Sequence, residues 1–584
     1  MLLRLLLAPI VFVLRLLRWP TRALKRARAA PKGALVELRL GGRVHESPPK
    51  ARRWWPPPMV LRRLGARVAH EVRLPVVRAL IDEVIADRRV AGLVARIEEP
   101  SGGWASMEAL RQELSRVPRA GKRLVAFLPE GGGNAALFVA TAARTIVAPR
   151  AVDLALTGPK AEAHYFKRAL ERAGIDVELH ARKEFKSAGD RLAREGRSEA
   201  DRQQTEALLD AIDGALIAAL AEGRGVTEAA ARALVDLGPT RASEAKARGL
   251  VDLLAWDDEL PDVLGAPIVA AGPYLARRRA GRDRRPWLLR RRAVAVVDVH
   301  GAITSQASPL ALSAGPVALA DQIIAELRAC ERDPSIAGVV LDVDSPGGTV
   351  VASDAIWAAA RRLAAKKPLV ARMGDVAASG GYYVALAARA IVARPLTLTG
   401  SIGVVSLRPI ASRLAERIGV ARDVIARGKF ADLEAVTRPP TDEERALVAR
   451  EIDGHYADFV AIVAEGRKRP IDEIEPLARG RVWIGADALR VGLVDRLGGF
   501  EEALALVREA LPGERLEAQP RRLDVRPPSV RVAVAPNEQR AAVLAAISSL
   551  LPRQLGAPLG VLLSFALEGR TGALAIATDL PPLP

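Results

Sequence analysis

Short runs of β-branched and other apolar residues alternate with amphipathic stretches along the second half of the chain. The pattern predicts strands over residues 293–300 and 336–343 and helices over residues 315–329 and 353–364. Regular alternation of strand and helix indicates a mostly parallel sheet with right-handed crossover helices, and hence an α/β fold. The glycine-rich turn D-S-P-G-G-T at residues 344–349 follows the second strand, at the sheet edge where α/β proteins form their sites.

A further apolar run, residues 368–373, precedes a predicted turn at Gly374-Asp375, and Ser379 is then predicted to open a helix. Backbone N–H groups and the positive end of a helix dipole stabilise a developing anion at such a position. Ser379 is therefore a candidate nucleophile. The alternative is that it only caps the helix, because serine is a favoured N-cap residue.

The chain contains two copies of one pattern, about 245 residues apart. The matching segments include residues 138–148 with 383–393, and residues 249–252 with 492–495. Self-similarity at a fixed spacing indicates a tandem duplication, which we assign to residues 34–257 and 293–512. Residues 258–292, which end in an arginine-rich run, are predicted to form a basic linker.

The two copies differ at their chemically interesting positions in a complementary way. Ser379 of the second copy aligns with Asn134 of the first, and Lys186 of the first copy aligns with Ala431 of the second. One copy thus has a serine without the lysine, and the other has the lysine without the serine. This is the pattern expected if a single composite site uses both residues at the junction of the two copies.

A serine hydroxyl becomes a good nucleophile when a nearby base removes its proton. A lysine is such a base if burial lowers the pKa of its amine towards neutrality. The pair needs no aspartate or histidine, which suits a chain that lacks the G-x-S-x-G motif. Fixed donors for the oxyanion are available from the Gly380 N–H and from the Gly347-Gly348 turn.

Composition limits the other classes of function. With 584 residues the chain is long enough for two or more hydrophobic cores. The net charge of +19 suits binding to an anionic surface, although an arginine-rich composition can also reflect a GC-rich genome. No zinc-finger or RNA-binding signature accompanies this charge in the sequence, so we expect no nucleic-acid partner. The single Cys330 excludes an intrachain disulfide, and no H-E-x-x-H pair occurs, so we expect no metal and no cofactor.

The two ends of the chain lie outside the duplicated region. Residues 1–33 carry eight basic and no acidic residues around an apolar run, residues 5–14, that is too short to span a bilayer. We interpret this segment as an amphipathic, membrane-associating helix, with an uncleaved signal anchor as the alternative. Residues 513–584 form an extension with two apolar runs and a proline-rich end, and we assign them no role.

Taken together, the motifs resemble those of the signal peptide peptidase A family in its long, two-repeat form. Members of this family are serine–lysine peptidases with a Clp-protease/crotonase-like fold. The matching segments are residues 344–349, 373–383, 398–403 and 492–498 in the second copy and residues 185–188 in the first. The resemblance covers about residues 34–512, and its motifs are specific jointly rather than singly. It implies tandem α/β domains of the Clp-protease/crotonase-like type.

The resemblance also implies roles for individual residues. Ser379 is implied as the nucleophile, Lys186 as the general base, and Gly348 and Gly380 as the oxyanion donors. Ser401 is implied to supply a hydroxyl that orients the lysine amine. Membership further implies a homotetramer on the inner membrane, with apolar clefts that bind remnant signal peptides on the periplasmic side.

Two observations depart from the family pattern. Its long form usually has a full transmembrane anchor near the N-terminus, whereas only the amphipathic segment is evident here, and residues 513–584 have no recognised counterpart in the family. The basic residues after the short apolar run favour a cytoplasmic position for residues 1–33, which conflicts with the periplasmic position that the resemblance implies. Two other classes of function also fit parts of the sequence. A crotonase-like acyl-transfer enzyme shares the sheet and the glycine turn but does not need Lys186, and an inactive membrane scaffold fits the basic N-terminus.

Overall fold

The computed structural model describes residues 29–48, 71–279, 291–306, 316–517 and 520–523, together with the backbone of a short strand, Leu574–Ile576. The described chain divides into two compact units. The first comprises residues up to Lys160 and those from Ala211 to Arg292, and the second comprises Ala161–Asp210 and the described residues from Ala293 onwards. The membrane-associating segment and most of the C-terminal extension predicted from the sequence lie outside the described residues.

The first unit is an α/β layer structure built on a mainly parallel sheet. Its strands are Ala34–His45, Glu71–Arg73, Val90–Ser101, Arg123–Phe127, Gly132–Gly133, Thr145–Ala148, Asp153–Ala155, Thr240–Arg241, Leu253–Leu254 and Ile268–Ala270. Its helices are Leu74–Ala86, Trp104–Arg119, Asn134–Ala140, Glu228–Asp236, Ala242–Ala247, Leu260–Leu264 and Ala271–Arg279, with the C-terminal part of Glu199–Arg224.

The second unit repeats this plan, and within the described residues its second sheet has six strands, whereas the second sheet of the first unit has three. Its strands are Asp176–Ala181, Ala293–His300, Ala302–Thr304, Val317–Leu319, Ile336–Ser345, Gly347–Thr349, Leu369–Ala378, Ile391–Ala393, Leu398–Gly400, Val405–Ile410, Val482–Ile484, Arg496–Leu497 and Leu574–Ile576. Its helices are Lys167–Arg172, Asp190–Ala193, the start of Glu199–Arg224, Ala320–Arg332, Val350–Ala364, Gly380–Ala385, Ser412–Arg417, Asp442–Arg467, Ile471–Ile474, Gly485–Arg490 and Phe500–Glu509, with a 3₁₀ turn at Glu475–Leu477.

The duplication extends to the order of the strands. Five parallel strands lie side by side in their sequence order in the main sheet of each unit. The same ion pair recurs as well: Arg224 with Asp252 in the first unit, and Arg467 with Asp495 in the second. In each case the aspartate also accepts a hydrogen bond from the backbone N–H of a neighbouring strand, at Ile146 and at Ile391.

The strand that leads to Ser379 is longer than the sequence pattern predicts. It runs without interruption from Leu369 to Ala378, so the predicted turn at Gly374-Asp375 is wrong. Its second part pairs in parallel with Leu398–Gly400, and the Asp344 carboxylate accepts the Val376 N–H at 3.1 Å. These tertiary hydrogen bonds hold the backbone extended where glycine and aspartate alone favour a turn.

Two predicted helices also differ from the structure at their first turns. The helix predicted from residue 315 begins only at Ala320, because Val317–Leu319 pairs as a strand with Ala302–Thr304. The helix predicted from residue 353 already begins at Val350. Pairing with a neighbouring strand and packing of the first turn are tertiary effects that local periodicity does not encode.

The boundaries of the compact units differ from those drawn from the sequence repeat. Part of the predicted linker belongs to the first unit, because Ile268–Ala270 pairs with Ala34–His45 and both Leu260 and Leu264 enter its core. Residues 161–210, which lie in the first repeat, belong to the second unit. Their strand Asp176–Ala181 pairs antiparallel with Val405–Ile410 over six residues. The lysine-bearing segment is therefore built into the unit that carries Ser379.

The glycine-rich segment Gly347–Thr349 is a strand of the second sheet of this unit. Gly348 pairs with Ile303 on one side, and on the other side the short strand Leu574–Ile576 lies antiparallel to both Gly347–Thr349 and Val405. Within the described residues, no helix has both the length and the apolar character needed to cross a bilayer.

Candidate active site

Ser379 lies between the end of a buried strand and the start of the helix Gly380–Ala385. It is fully buried, and its backbone has φ 54° and ψ −118°. A positive φ is uncommon for a residue with a side chain, and such strain is found most often at functional sites. The backbone is fixed by hydrogen bonds from Ser379 N to Gly400 O at 2.7 Å and from Tyr383 N to Ser379 O at 2.8 Å.

The hydroxyl of Ser379 does not cap the helix that it precedes. Among the described residues its Oγ makes no capping hydrogen bond, and it contacts the amine of Lys186 instead. The interpretation of this serine as a simple N-cap is therefore wrong. A capping serine accepts a hydrogen bond from a backbone N–H group of the first helical turn, and the Ser379 hydroxyl makes no such bond.

Lys186 comes from the segment 161–210 that is incorporated into the second unit. Its side chain is 2% exposed, and its Nζ atom lies 2.8 Å from the Oγ of Ser379, 3.0 Å from the Oγ of Ser401 and 3.1 Å from the carbonyl oxygen of Ser401. Burial lowers the pKa of the Lys186 amine well below its ordinary value, because the charged form is disfavoured in a medium of low dielectric constant.

The three partners of the amine match the bonding capacity of a neutral amine. A neutral lysine has two N–H donors and one lone pair. The donors can serve the hydroxyl and carbonyl oxygens of Ser401, and the lone pair can accept the proton of the Ser379 hydroxyl. A lone pair directed at the Ser379 hydroxyl is the geometry that a general base requires.

Ser401 is held in place by its own backbone. It has φ 50°, and its N–H donates to the carbonyl of Arg481 at 2.7 Å. It directly follows the strand Leu398–Gly400, which pairs on one side with the strand before Ser379 and on the other with Val482–Ile484. The residue whose hydroxyl contacts Lys186 is therefore fixed by the same sheet that positions Ser379.

The two predicted oxyanion donors lie next to each other. A Cβ atom placed on Gly380 would be 3.1 Å from the backbone nitrogen of Gly348. A Cβ on Gly348 would lie 1.9 Å from the carbonyl oxygen of Ile303, so the strand pairing here requires glycine. The hydroxyl of Ser345 braces the turn, since it donates to Gly301 O at 2.6 Å and accepts the Gly347 N–H at 3.1 Å.

The corresponding position in the first unit has different chemistry. The side-chain oxygen of Asn134 accepts the N–H groups of Thr157 and Gly158, at 2.9 and 3.1 Å, and its amide nitrogen donates to Gly158 O at 2.9 Å. Asn134 thus fastens a loop of its own unit. Its backbone lacks the positive φ of Ser379, which is consistent with a position that carries no reactive hydroxyl.

One cluster of the second unit has side chains of the kinds that bind metals. The ligand atoms of Asp298, His300 and Asp342 lie within 4.8 Å of one another. Asp342 accepts from Arg372 at 2.9 Å and contacts His300 at 3.0 Å, while Asp298 pairs with Arg522. Two arginines already balance the two carboxylates, so we interpret the cluster as a buried ion-pair network.

Sequence reasoning identified the groups that touch the amine but missed those that hold its loop. The loop of Lys186 is bonded to Asp201 and Gln204 of the helix Glu199–Arg224. The available signal was weak, because two polar residues within a long helix are more often solvent-exposed. Asp344, the first residue of the glycine-rich turn, accepts the backbone N–H of Val376 from the strand that leads to Ser379.

The fold defines the class of the protein as a tandem α/β protein of the Clp-protease/crotonase-like type. The chain belongs to peptidase family S49: the family's sequence pattern matches residues 117–264 and 361–512, and that of Clp protease matches residues 296–397. The two S49 matches confirm the tandem duplication and the predicted fold class. The chain is therefore a peptidase, and its resemblance to the signal peptide peptidase A family is confirmed.

Individual relatives agree with this assignment. The chain is 32% identical over 487 residues to "Serine protease SPPA, chloroplastic" of Arabidopsis thaliana, covering 82% of this chain and 69% of that one. It is 27% identical over 500 residues to "Protease 4" of Haemophilus influenzae, covering 82% and 79% respectively. Among solved structures, a ClpP1 point mutant from Listeria monocytogenes aligns over 36% of this chain and 94% of its own, with 17% identity and a TM-score of 0.24.

Proposed function

We propose that the protein is a membrane-associated serine endopeptidase that uses a Ser379–Lys186 dyad to degrade remnant signal peptides and other apolar peptides. The observation that carries the proposal is the 2.8 Å contact between the lysine amine and the serine hydroxyl. Both groups are buried, and burial lowers the pKa of Lys186. A base and a nucleophile in hydrogen-bond contact are the minimal requirement for acyl-enzyme chemistry.

The proposed reaction has two stages. In the first, Lys186 accepts the proton of Ser379 as Oγ bonds to the scissile carbonyl carbon, and the N–H groups of Gly348 and Gly380 stabilise the resulting oxyanion. The lysine ammonium then donates that proton to the leaving amine as the C–N bond breaks, which leaves an ester on Ser379. In the second stage, water attacks the ester while Lys186 accepts a proton from it, and the acid product leaves as Lys186 passes that proton to the Oγ of Ser379.

The shape and composition of the site favour an extended apolar peptide. The glycine strand Gly347–Thr349 and Val405 both pair with a chain segment in extended conformation, Leu574–Ile576. This pairing supports binding of a substrate backbone by strand addition. The residues around Ser379 are mainly alanine, glycine and valine, so we expect a broad preference for small or apolar side chains and no requirement for a charged one.

The decisive test uses a serine-directed fluorophosphonate probe on the full chain. The probe should label the wild type but not Ser379→Ala, and only the wild type should hydrolyse an apolar peptide substrate. Equal labelling of Ser379→Ala would contradict the assignment of the nucleophile. A folded wild type that is neither labelled nor able to hydrolyse the peptide would favour the inactive scaffold instead.

We also propose inner-membrane association, a periplasmic position of the catalytic unit and a homotetrameric assembly. The first is supported by the basic charge of residues 1–33, and the other two are supported by family resemblance. Interfacial binding through arginine should weaken with salt, because screening reduces the attraction to anionic lipid. Retention after high-salt and carbonate washes would indicate a spanning anchor, and protection of the catalytic unit from protease added to spheroplasts would contradict a periplasmic position. Sedimentation of the purified chain tests the tetramer.

A further inference from the structure

One buried side chain contacts the loop that carries Lys186 at several points. Gln204 is 3% exposed and projects from the helix Glu199–Arg224. Its amide nitrogen lies 3.1 Å from the Oγ of Ser187 and 3.4 Å from the carbonyl oxygen of Phe185, so it contacts the residues on both sides of the lysine. These bonds fix the segment from which the lysine side chain extends.

The oxygen of the same side-chain amide is hydrogen-bonded to the strand Val482–Ile484, which pairs with the strand before Ser401. The side-chain oxygen of Gln204 accepts the N–H of Val482 at 3.2 Å. Val482 pairs with Gly400, the residue before Ser401, and the carbonyl of the preceding Arg481 accepts the Ser401 N–H at 2.7 Å. A single amide thus links the backbone that carries the lysine to the backbone that carries its hydroxyl partner.

The orientation of the amide is fixed by a neighbouring carboxylate. Asp201 accepts from the Gln204 amide nitrogen at 3.2 Å and from the Ser187 hydroxyl at 2.8 Å, and Arg197 donates to its other oxygen at 2.8 Å. Because a carboxylate accepts and the Val482 N–H donates, only one of the two amide orientations satisfies both neighbours. The amide is therefore constrained as well as buried.

We propose that Gln204 is a positioning residue of the peptidase reaction, which sets the place of the Lys186 amine relative to Ser379 and Ser401. The inference rests on the proposed function of the Ser379–Lys186 dyad. If the link to Gln204 is lost, the lysine loop can move away from the strand behind Ser401. The Lys186 amine then spends less time in its buried, water-free position. Its lone pair is therefore directed less well at Ser379, and the pKa of the amine rises towards its ordinary value.

The test substitutes none of the charged groups around the loop. On the helix side they are Asp190, Arg197 and Asp201, and on the opposite side they are Lys183, Glu184, Glu475 and Arg479. A change in the pH dependence of a Gln204 variant would therefore report the position and hydration of the amine.

The experiment compares Gln204→Met with Gln203→Met in the full chain. Methionine keeps most of the side-chain volume and removes the amide, and Gln203 is the adjacent, exposed residue of the same type on the same helix. For Gln204→Met we expect kcat to fall about 10- to 100-fold, as for a small misplacement of a catalytic group, with little change in KM. In the pH profile of kcat/KM, the limb that rises as Lys186 loses its proton (the basic limb) should move to higher pH. Gln203→Met should match the wild type in kcat, in KM and in the position of this limb.

A purely structural role makes a different prediction. It would lower the melting temperature of Gln204→Met while leaving kcat at assay temperature and the position of the basic limb unchanged, and that result would overturn the inference. If Gln204→Met does not fold, Ser187→Ala removes one of the linked groups and should give a smaller shift in the same direction, whereas an unshifted limb would also overturn it. Ser379→Ala and Lys186→Ala distinguish this inference from the proposed function. Peptidase activity in either of these two variants would refute the dyad itself. If both are inactive and Gln204→Met has wild-type kcat and pH dependence, only the positioning role is refuted.

Discussion

The Nζ atom of Lys186 lies 2.8 Å from the Oγ of Ser379, although the two residues are 193 positions apart in the sequence and lie in different copies of the internal repeat. Both belong to the same compact unit, because the segment 161–210 joins the sheet of the second copy through Asp176–Ala181. The site therefore depends on one segment of the first sequence repeat that is built into the second unit. Each copy of the repeat lacks the residue that the other one supplies.

Removing the base should abolish catalysis without unfolding the protein. We expect Lys186→Ala to lower kcat by several orders of magnitude, about 10⁴- to 10⁶-fold as for other nucleophile–base pairs. Lys186→Arg should not restore activity, since a guanidinium stays protonated. Lys183→Ala is a suitable control, because this lysine is three residues away and pairs with Glu475 near the surface. More than a few percent residual turnover in Lys186→Ala would exclude lysine as the base.

The rate should rise with pH through one basic limb. Burial lowers the pKa of Lys186 well below its ordinary value, and the neutral amine is the working form, so activity is lost as pH falls through the lowered pKa. The profile of kcat/KM for an uncharged peptide tests this directly. A flat profile from acidic to alkaline pH would argue against an amine base, as would a fall in rate with rising pH across the neutral range.

The same burial should reduce stability, and the sign of the effect can be worked out. Between the lowered pKa of the folded state and the ordinary value of about 10.4, the lysine is neutral when folded and protonated when unfolded. The unfolded state then binds more protons, so the free energy of unfolding increases with pH over this range. We expect Lys186→Met to melt higher than the wild type at neutral pH, by about 2–4 °C for each kcal/mol recovered.

The advantage of Lys186→Met should shrink as the pH approaches the ordinary lysine value. Scanning calorimetry at several pH values measures this difference. A melting temperature equal to or below that of the wild type at neutral pH would contradict the idea that the buried amine is a stability cost retained for function.

Removal of the C-terminal extension should make the peptidase bind substrate more tightly. The strand Leu574–Ile576 pairs with Gly347–Thr349, where a substrate backbone is proposed to bind. In a chain that ends at Leu523, which packs against the core, we expect a lower KM and an unchanged kcat, because an intramolecular competitor acts at high effective concentration. A synthetic peptide covering residues 570–580 should inhibit the shortened chain competitively or be cleaved by it. An unchanged KM together with an inert peptide would contradict this prediction.

Much of the architecture follows from local properties of the sequence. The strand Ala293–His300 has the bounds predicted for it, because a short run rich in valine and alanine favours a strand buried on both faces. The sequence also reveals the duplication and shows that each copy contains only one of Ser379 and Lys186, since an alignment of two copies needs no knowledge of their packing. The pairing of these two residues was thus predicted before any distance was known.

Other features were decided only by tertiary contacts. The strand before Ser379 passes through Gly374 and Asp375 because a neighbouring strand and the Asp344 carboxylate satisfy its backbone. The depth of burial that lowers the pKa of Lys186 comes from residues far apart in the sequence, and so does the bond from Gln204 to Val482, which spans 278 positions. The sequence by itself determined which residue types were available and in which elements. The distances between these residues, the burial of their side chains and their backbone strain arise only when long-range packing brings those elements together. Local propensity carries no information about such contacts.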